Sequence, residues 1–417
     1  MRRGEGRTRR ELLGAGAVGL AGLGVAASLP ARAGAAVMCT PDASPARAQG
    51  APLAATSPDA VGMSQSRLDR VAACLEAETA SGRVTAASVC VARQGRVVQH
   101  RGFGRLNEQP GAPAAEADTR YIIASVAKPI TVCGLMLLVE RGSVVLSERV
   151  QQYLPEFEGE HKEKVRVRHL LSHVSGLPDQ LPQNLELRRA HAPLSAFVRG
   201  ALATPLLDEP ATKFGYQSMG TLLAGEIVER VTGRPLREFL REEIFDPLGM
   251  TRTTLGLGGL RVEQTAIYQA GPDSEDLRSW GPNTHYWREI GHPWGGMHST
   301  AGDLAILLQA FLDGGAYGST RLLSPTTVEA MTRDSNPGLG APWGLGWALR
   351  DSPVWNHFGD LASARTFGHV GATGTVAWAD PERQLLCALL TTRGAGAGDG
   401  WLLHRVSNLV QAAVTTR

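Results

Sequence analysis

The stretch Ser125-Val126-Ala127-Lys128-Pro129 opens a strongly apolar segment that predicts a helix from about Ser125 to Glu140. Side chains three residues apart lie on one face of a helix, roughly 5–6 Å apart at Cβ. An amine at that distance can activate a serine hydroxyl as a nucleophile. Pro129 indicates where the helix begins, because proline is tolerated only in the first turn. Ser125 is therefore expected beside free backbone N–H groups, which favour a developing anion.

Lys128 is one of only four lysines, the others being Lys162, Lys164 and Lys213, in a chain whose positive charge is otherwise arginine. The alternative is a chance Ser–Lys pair on a solvated helix. The neighbouring residues are apolar on almost every side: Ile122, Ile123, Ile130, Val132, Leu135 and Leu137. A lysine there is costly unless it is paired or loses its proton, and lysine can do so whereas arginine cannot. The pattern favours a functional lysine.

Two further segments could contribute to a site. Phe214-Gly215-Tyr216-Gln217-Ser218 is weak alone, since most tyrosines are half-buried packing residues. Gly368-His369-Val370-Gly371-Ala372-Thr373-Gly374 interrupts a predicted strand region, and glycines there usually mark a bulge or a close backbone approach. The motifs H-E-x-x-H, G-x-x-x-x-G-K-[ST] and G-x-S-x-G are absent, which disfavours a zinc peptidase, a P-loop protein and an α/β-hydrolase.

Together the three segments resemble the serine β-lactamase and penicillin-binding-protein superfamily, whose class A members carry S-x-x-K. The resemblance is strongest to the branch of class C β-lactamases, D-aminopeptidases and family VIII carboxylesterases, and it covers about Ala60 to Val410. Four supporting segments share it: His169–Leu177, Glu226–Gly233, Pro247–Thr251 and Gly295–Leu304.

The resemblance implies a role for each matching position. Ser125 would be the nucleophile and Lys128 its proton partner, while Tyr216 would share general-base duty and then protonate the leaving group. The N–H groups of Ser125 and Ala372 would form the oxyanion hole, and Gly371 would let the strand approach the substrate. The His169–Leu177 segment, including His173 and Ser175, and the Gly295–Thr300 turn would be scaffold.

Three positions depart from the family pattern: Ser218 replaces an Asn, His369 a Lys and Val370 a Thr. In the family these positions bind the substrate, so the departures favour an esterase for small carboxylic esters. The N-terminal segment described below indicates that this esterase is exported. The alternatives are a β-lactamase or D-amino-acid peptidase, a penicillin-binding sensor that does not turn over, and a scaffold without catalysis. No metal or organic cofactor is expected. Substrate, hydrolysis versus transfer, and oligomeric state stay open.

Strand patterns at both ends and helical patterns between them predict an α/β (α+β) fold. We expect an antiparallel sheet flanked by the terminal helices, built from about 59–124 and 341–417, with an all-helical insertion over about 125–340. Five widely spaced cysteines without C-x-x-C indicate neither a disulfide framework nor a zinc site. Cys74, Cys90, Cys133 and Cys387 lie in apolar runs and should be buried.

The N-terminus resembles a targeting segment. Thr8-Arg9-Arg10-Glu11-Leu12-Leu13 is a twin-arginine motif, and Ala31-Arg32-Ala33 offers a cleavage site after an uncharged stretch. Residues 1–33 are thus predicted to be a signal peptide and 34–58 a flexible leader. The mature domain, 59–417, would be periplasmic or extracellular with no stable membrane span. A net charge of +2 without a basic stripe argues against nucleic acid and favours a small-molecule ester or amide as partner.

Overall fold

The computed structural model describes residues 50–269, 279–395 and 400–416. The predicted signal peptide and most of the leader lie outside these residues. The last part of the leader is bound to the domain, since Thr56 N–H donates to Val97 O at 2.9 Å and Val97 N–H donates to Ala54 O at 2.9 Å. The chain is therefore tied to the sheet edge a few residues before the boundary predicted at 59.

Six antiparallel strands form the main sheet, in the spatial order Arg96–Gly104, Ala86–Arg93, Leu385–Thr391, Thr375–Asp380, Phe367–Gly371 and Ala348–Leu349. The strands from the N-terminal part are β1 Ala86–Arg93 and β2 Arg96–Gly104, and those from the C-terminal part are β8 Ala348–Leu349, β9 Phe367–Gly371, β10 Thr375–Asp380 and β11 Leu385–Thr391. Both ends of the chain thus meet in one sheet, as predicted, through the pairing of β1 with β11.

Side chains alternate along these strands between two hydrophobic clusters, as the two-residue period of a strand requires. Val89 and Val91 join the cluster under the terminal helices α1 (Gln65–Ala80) and α12 (Trp401–Ala412). Cys90 and Ala92 belong to the other hydrophobic cluster, which lies on the opposite face of the sheet. Cys74, Cys90, Cys133 and Cys387 are buried free thiols, as predicted.

The helices between β2 and β8 form most of the second region. They are α2 Ala127–Glu140, α3 Val167–Leu171, α4 Asn184–Arg189, α5 Leu194–Ala203, α6 Ser218–Thr232, α7 Leu236–Leu240, α8 Asp246–Leu248, α9 His285–Glu289, α10 Ala301–Leu312 and α11 Pro325–Thr332. A π-helical turn, Arg241–Phe245, joins α7 to α8.

Part of the region predicted as a helical insertion, about 125–340, packs on the main sheet. Helix α10 lies within the predicted all-helical part, yet it packs against β1, β10 and β11. Its residues Leu304, Leu307 and Leu308 are buried in the same cluster as the inner face of the sheet. The sheet therefore has α1 and α12 on one face and α10 on the other.

A small three-stranded sheet leads into the site. Strand β5 (Met297–Ser299) lies between β3 (Tyr121–Ile122) and β4 (Thr254–Leu255). Ile123 N–H donates to Met297 O at 3.0 Å, immediately before the Ser125 segment. The Gly295–Thr300 turn thus holds the chain that carries Ser125, which agrees with its predicted scaffold role. A further two-stranded ribbon pairs β6 (Ala316–Tyr317) with β7 (Thr320–Arg321).

Candidate active site

Ser125 lies in a tight turn rather than in the first turn of an α-helix. A 3-10 turn covers Ala124–Val126, and α2 begins at Ala127. Ala124 has φ +45°, in the left-handed region that is unfavourable for an alanine. The turn is held from the sheet, because Thr373 Oγ1 donates to Ile122 O at 2.7 Å and Thr375 Oγ1 donates to Ile123 O at 2.9 Å. The β9–β10 hairpin therefore fixes the backbone that presents the Ser125 hydroxyl.

Gly371 allows this contact between strand and turn. A Cβ atom at position 371 would lie 2.3 Å from Ile123 O and 2.2 Å from Thr375 Oγ1. Both distances are far below van der Waals contact, so only glycine fits without movement. The sequence predicts a close approach here, and the close neighbour is the Ser125 segment itself.

Lys128 lies one turn from Ser125 and is 1% exposed. Its Nζ donates to Ser125 Oγ at 2.9 Å and to the carbonyl oxygen of Trp294 at 3.1 Å. Both acceptors are neutral, so nothing in direct contact repays the loss of hydration of an ammonium ion. Burial lowers the pKa of Lys128 to about 7, against a smaller opposing effect of the Asp179 carboxylate. A substantial fraction of neutral amine is therefore present at neutral pH.

Tyr216 packs beside the Ser–Lys pair. Lys128 Nζ lies 4.9 Å from the centroid of its ring, and the buried Tyr216 Oη has no hydrogen bond of ordinary geometry within the described residues. Burial raises the pKa of Tyr216, while the nearby Ser125 hydroxyl lowers it by a smaller amount. The phenol is consequently protonated at neutral pH and can donate a proton to an atom placed next to Ser125.

The loop of His173 and Ser175 supports the tyrosine segment. His173 Nδ1 accepts a hydrogen bond from Gln217 N–H at 3.2 Å, and its ring centroid lies 4.6 Å from that of Tyr216. Ser175 Oγ lies 2.5 Å from the side-chain amide group of Gln217. Burial holds the pKa of His173 well below its usual value. These contacts agree with the scaffold role predicted for the loop.

His369 and Val370 lie behind the site rather than on its surface. His369 is fully buried, with Nδ1 2.8 Å from Val370 O and its ring centroid 6.1 Å from that of Tyr216. Burial lowers the pKa of His369 to about 3, so its ring is neutral at neutral pH. Val370 points into the cluster under α1 and α12. The prediction that position 370 faces the substrate is therefore wrong, since successive strand residues point to opposite faces.

Ser218 holds a carboxylate that the sequence analysis missed. Its N–H and Oγ donate to Asp179 Oδ1 at 2.8 and 2.6 Å, and the Ser218 side chain is 2% exposed. Asp179 directly follows the His169–Leu177 segment after one proline. The carboxylate directly after this segment was the sequence feature that could have indicated a functional residue. The residues around Asp179 do not indicate its contact with Ser218, which is 39 residues further along the chain.

The two residues predicted to supply an oxyanion hole both lie at the cleft. Ser125 and Ala372 both contribute to its lining. Within the described residues, neither N–H is engaged in a backbone hydrogen bond outside the regular elements, whereas Ala372 O accepts from Ala395 N–H at 3.0 Å. This is the pair that the sequence predicts as an oxyanion hole.

The cleft has a volume of about 330 Å³ and is lined by residues from both regions of the fold, among them Ser125, Asp179, Tyr216, Trp294, Trp355 and Ala372. A larger apolar groove of about 1260 Å³ runs beside α12 and shares Trp355 with the cleft. Ser125, Lys128 and Tyr216 all lie outside that groove, so the smaller cleft is the candidate active site. Among the described residues, no group of three or more His, Cys, Asp or Glu side chains is placed to bind a metal ion.

This fold, with a serine and a tyrosine in one cleft and a buried lysine bonded to the serine, belongs to the class of serine hydrolases with a penicillin-recognising architecture. A family model described as Beta-lactamase matches residues 71–409. The chain therefore belongs to the beta-lactamase family, and it is a serine hydrolase of the superfamily of β-lactamases and penicillin-binding proteins.

Proteins similar to this chain carry different descriptions. A protein of Escherichia coli (strain K12), provisionally described as a D-alanyl-D-alanine carboxypeptidase, is 29% identical over 377 residues, with 82% of this chain and 86% of the relative covered. A penicillin-binding-protein homologue from Caulobacter crescentus is 26% identical with a TM-score of 0.70, over 84% of this chain and 99% of that one. A family VIII carboxylesterase has a TM-score of 0.67 at 23% identity, over 83% of this chain and 98% of that one, which shows the common fold.

The structure also bears on the predicted partners. Within residues 50–269, 279–395 and 400–416, no helix has both the length and the apolar character needed to cross a bilayer. A cleft of this volume suits a small-molecule substrate.

Proposed function

We propose that the protein hydrolyses small carboxylic esters through an acyl-enzyme on Ser125. The observation that carries the proposal is the contact of a buried lysine, 1% exposed, with the serine hydroxyl at 2.9 Å. A neutral amine at this distance accepts the serine proton, and an ammonium at the same distance returns it. The pKa of Lys128, about 7, suits both steps at neutral pH.

The first half-reaction forms the acyl-enzyme. Ser125 Oγ loses its proton to Lys128 Nζ and bonds to the ester carbonyl carbon, whose oxygen becomes an oxyanion. The N–H groups of Ser125 and Ala372 stabilise that charge, and such donors contribute about 3–4 kcal/mol each. Collapse of the intermediate breaks the bond to the alkoxide, which takes a proton from Tyr216. Lys128 then returns a proton to the tyrosine.

The second half-reaction releases the acid. A water molecule attacks the acyl carbonyl and passes its proton to the Tyr216–Lys128 pair, and the new intermediate expels Ser125 Oγ, which recovers that proton. The products are a carboxylic acid and an alcohol, and the enzyme returns to its starting state. Among the described residues, the three side chains carry the proton transfers and the two N–H groups stabilise the oxyanion of each half-reaction.

The ester preference rests on the strand side of the cleft. In the family, a lysine and a threonine there bind the carboxylate of β-lactams and peptides. Here His369 is buried and neutral, and Val370 faces the opposite side of the sheet. Losing a charge-assisted hydrogen bond forfeits about 1.5–3 kcal/mol, whereas an uncharged ester does not require it.

A D-amino-acid peptidase is the second candidate, because the relative from Escherichia coli carries a carboxypeptidase description. The two candidates are separated by intact-mass spectrometry of the protein after exposure to short-chain esters, D-amino amides and β-lactams, with turnover measured in parallel. We expect transient acylation and rapid turnover with esters. Faster turnover of a D-amino amide would favour the peptidase, and a stable penicilloyl adduct without turnover would favour a sensor.

We propose in addition that the enzyme is exported. The support is the twin-arginine motif with the Ala31-Arg32-Ala33 site, which lies outside the described residues. Replacement of Arg9 and Arg10 by lysine should leave the activity in the cytoplasm, whereas replacement of Arg2 and Arg3 should not. Export that persists after the first replacement would contradict the proposal.

A further inference from the structure

We propose that Asp179 selects acyl groups that carry an ammonium group next to the scissile carbonyl. The inference rests on the proposed acyl-enzyme at Ser125 and narrows its substrate class to esters of amino acids with a free amino group. The ammonium group lies in the acyl part of the ester, and the alcohol part is uncharged.

The carboxylate of Asp179 is held in place by Ser218. Ser218 donates to Oδ1 from N–H at 2.8 Å and from Oγ at 2.6 Å, and its N–H also donates to Asp179 O at 3.2 Å. Within the described residues, no hydrogen bond reaches Oδ2, which leaves one carboxylate oxygen for a ligand. Because Ser218 is 2% exposed, the support itself cannot move freely.

The preceding loop is also fixed by hydrogen bonds. Leu207 N–H donates to Gly176 O at 2.7 Å, and Leu177 N–H donates to Ser175 Oγ at 3.2 Å. Gly176 has φ +83°, and a Cβ atom there would lie 2.1 Å from Asp208 O. The backbone that presents Asp179 is thus set before any substrate arrives, which reduces the entropic cost of binding.

Asp179 is the acidic residue of the cleft wall, and its charge acts on Lys128 and Tyr216. It lines the cleft together with Ser125 and Tyr216. Its charge raises the pKa of both Lys128 and Tyr216, although burial is the larger influence on each. An ammonium group on the carbon next to the carbonyl would lie within reach of the same field.

The other charged residue that lines the cleft is Arg188. Arg188 places its guanidinium 4.1 Å from the centroid of Trp287 and 4.7 Å from that of Trp280. Its charge acts on His292 and Tyr286, and no such effect is found on Lys128 or Tyr216. His292 itself is buried, and its pKa is held well below the usual value, so it is neutral. Beside the scissile carbonyl the fixed charge is therefore negative.

The expected effect is moderate because Asp179 is exposed to solvent. Exposed charge pairs are screened by water, and their usual strength corresponds to a preference of up to about fivefold. Selectivity of this size is detectable only with substrates that differ in charge and in nothing else.

Three ethyl esters provide that series: those of alanine, of 2-methylpropanoic acid and of methylmalonic acid. They place an ammonium, a methyl or a carboxylate group at the same carbon. At pH 7 the amino group of the alanine ester is largely protonated. We expect kcat/KM to be about fivefold higher for the ammonium ester than for the methyl ester, and lowest for the carboxylate ester. Equal values for the first two would overturn the proposal.

Variants locate the preference. Asp179→Asn keeps an acceptor for Ser218 but removes the charge, and should lower the ammonium-to-methyl ratio by about fivefold relative to the native protein. Ser218→Ala should reduce the ratio part of the way. Glu186→Gln removes an exposed charge from the neighbouring helix α4 and should leave the ratio unchanged. An unchanged ratio in Asp179→Asn would show that another group binds the ammonium. Any effect of Asp179 on Lys128 acts on both esters and cancels in the ratio.

A binding measurement separates this inference from the proposed function. In Ser125→Ala, which cannot acylate, tryptophan fluorescence should report tighter binding of alaninamide than of 2-methylpropanamide, and Asp179→Asn should remove the difference. If the native protein turns over none of the esters while this preference persists, the proposed function fails and the ammonium site stands. If turnover occurs and neither assay shows a preference, the ammonium site fails alone.

Discussion

Lys128 and Lys162 are both buried lysines at 1% exposure, one beside the cleft and one at the far end of the helical region. Each donates to a backbone carbonyl, Lys128 to Trp294 O at 3.1 Å and Lys162 to Leu202 O at 2.6 Å. Each also lies over an aromatic ring, at 4.9 Å from the Tyr216 centroid and 4.7 Å from the Phe157 centroid. Burial lowers the pKa of both.

What differs is the second hydrogen bond. Lys128 donates to Ser125 Oγ, whereas the hydrogen bond found for the Lys162 side chain within the described residues goes to the carbonyl of Leu202. The pKa of Lys128 falls to about 7, because its surroundings are drier. A buried lysine is therefore no evidence of chemistry by itself. The hydrogen bond to Ser125, which lines the cleft, distinguishes Lys128, and the following predictions test that distinction.

The largest effect should come from Ser125→Ala. Removal of the nucleophile should lower turnover by roughly 10⁴-fold or more and abolish the mass increment from a slowly released acyl donor. Ser319→Ala, at an exposed serine between β6 and β7, is the matched control and should retain activity. Labelling of Ser125→Ala at a different serine would show that the nucleophile has been assigned incorrectly.

Lys128→Arg should lower kcat/KM nearly as much as Lys128→Ala, by about 10²–10⁴-fold, because arginine cannot release its proton. Lys162→Arg is the corresponding change at the other buried lysine, and it should reduce stability more than it reduces activity of the folded fraction. Circular dichroism measures the fraction folded in each case. A Lys128→Arg enzyme with most of its activity would mean that residue 128 provides only a fixed charge.

The same lysine should set the pH dependence of the native enzyme. The reacting amine must be neutral, and its pKa is about 7. Below that pH the amine is protonated, so kcat/KM should fall tenfold per pH unit, and above it the value should level off. A profile that is flat between pH 5 and 8 would contradict the assignment of Lys128 as proton acceptor.

Gly371→Ala should lower kcat/KM by about 10- to 100-fold, since displacing catalytic groups by 1 Å costs about this much. The new methyl group would overlap Ile123 O, at 2.3 Å, and push the Ser125 turn away from β9. Gly215→Ala is the control, because a Cβ atom there meets nothing within 4 Å. Equal activities of the two variants would show that the turn does not depend on this contact.

The smallest effect concerns substrate preference. His369→Lys should leave the preference between uncharged esters and esters with a carboxylate in the alcohol part unchanged, because position 369 is fully buried and does not line the cleft. Val370→Thr should add nothing to this preference, because its side chain faces the cluster under α1 and α12. It should instead lower the free energy of unfolding by about 1–3 kcal/mol through a buried hydroxyl. A gain in preference from Val370→Thr alone would contradict the observed orientation of β9.

The sequence by itself determined those features that depend on short spacing. The separation of Ser125 and Lys128 by three residues predicted their contact, because helical geometry brings such residues together wherever the helix lies. Alternating and apolar runs predicted β1, β2, β10 and β11, and apolar surroundings predicted the burial of four cysteines. The alternation of side chains along β9 also predicts the face of the sheet on which Val370 lies. The comparison of motifs did not take this alternation into account.

The tertiary structure decided everything that joins distant segments. It places α10 on the sheet, the carbonyl of Trp294 on Lys128, and Asp179 on Ser218. These contacts result from the packing of whole elements, and the local sequence of either partner carries no information about the other. The tertiary structure also decided the pKa values of Lys128 and His369, because burial rather than residue type sets how much hydration each side chain loses.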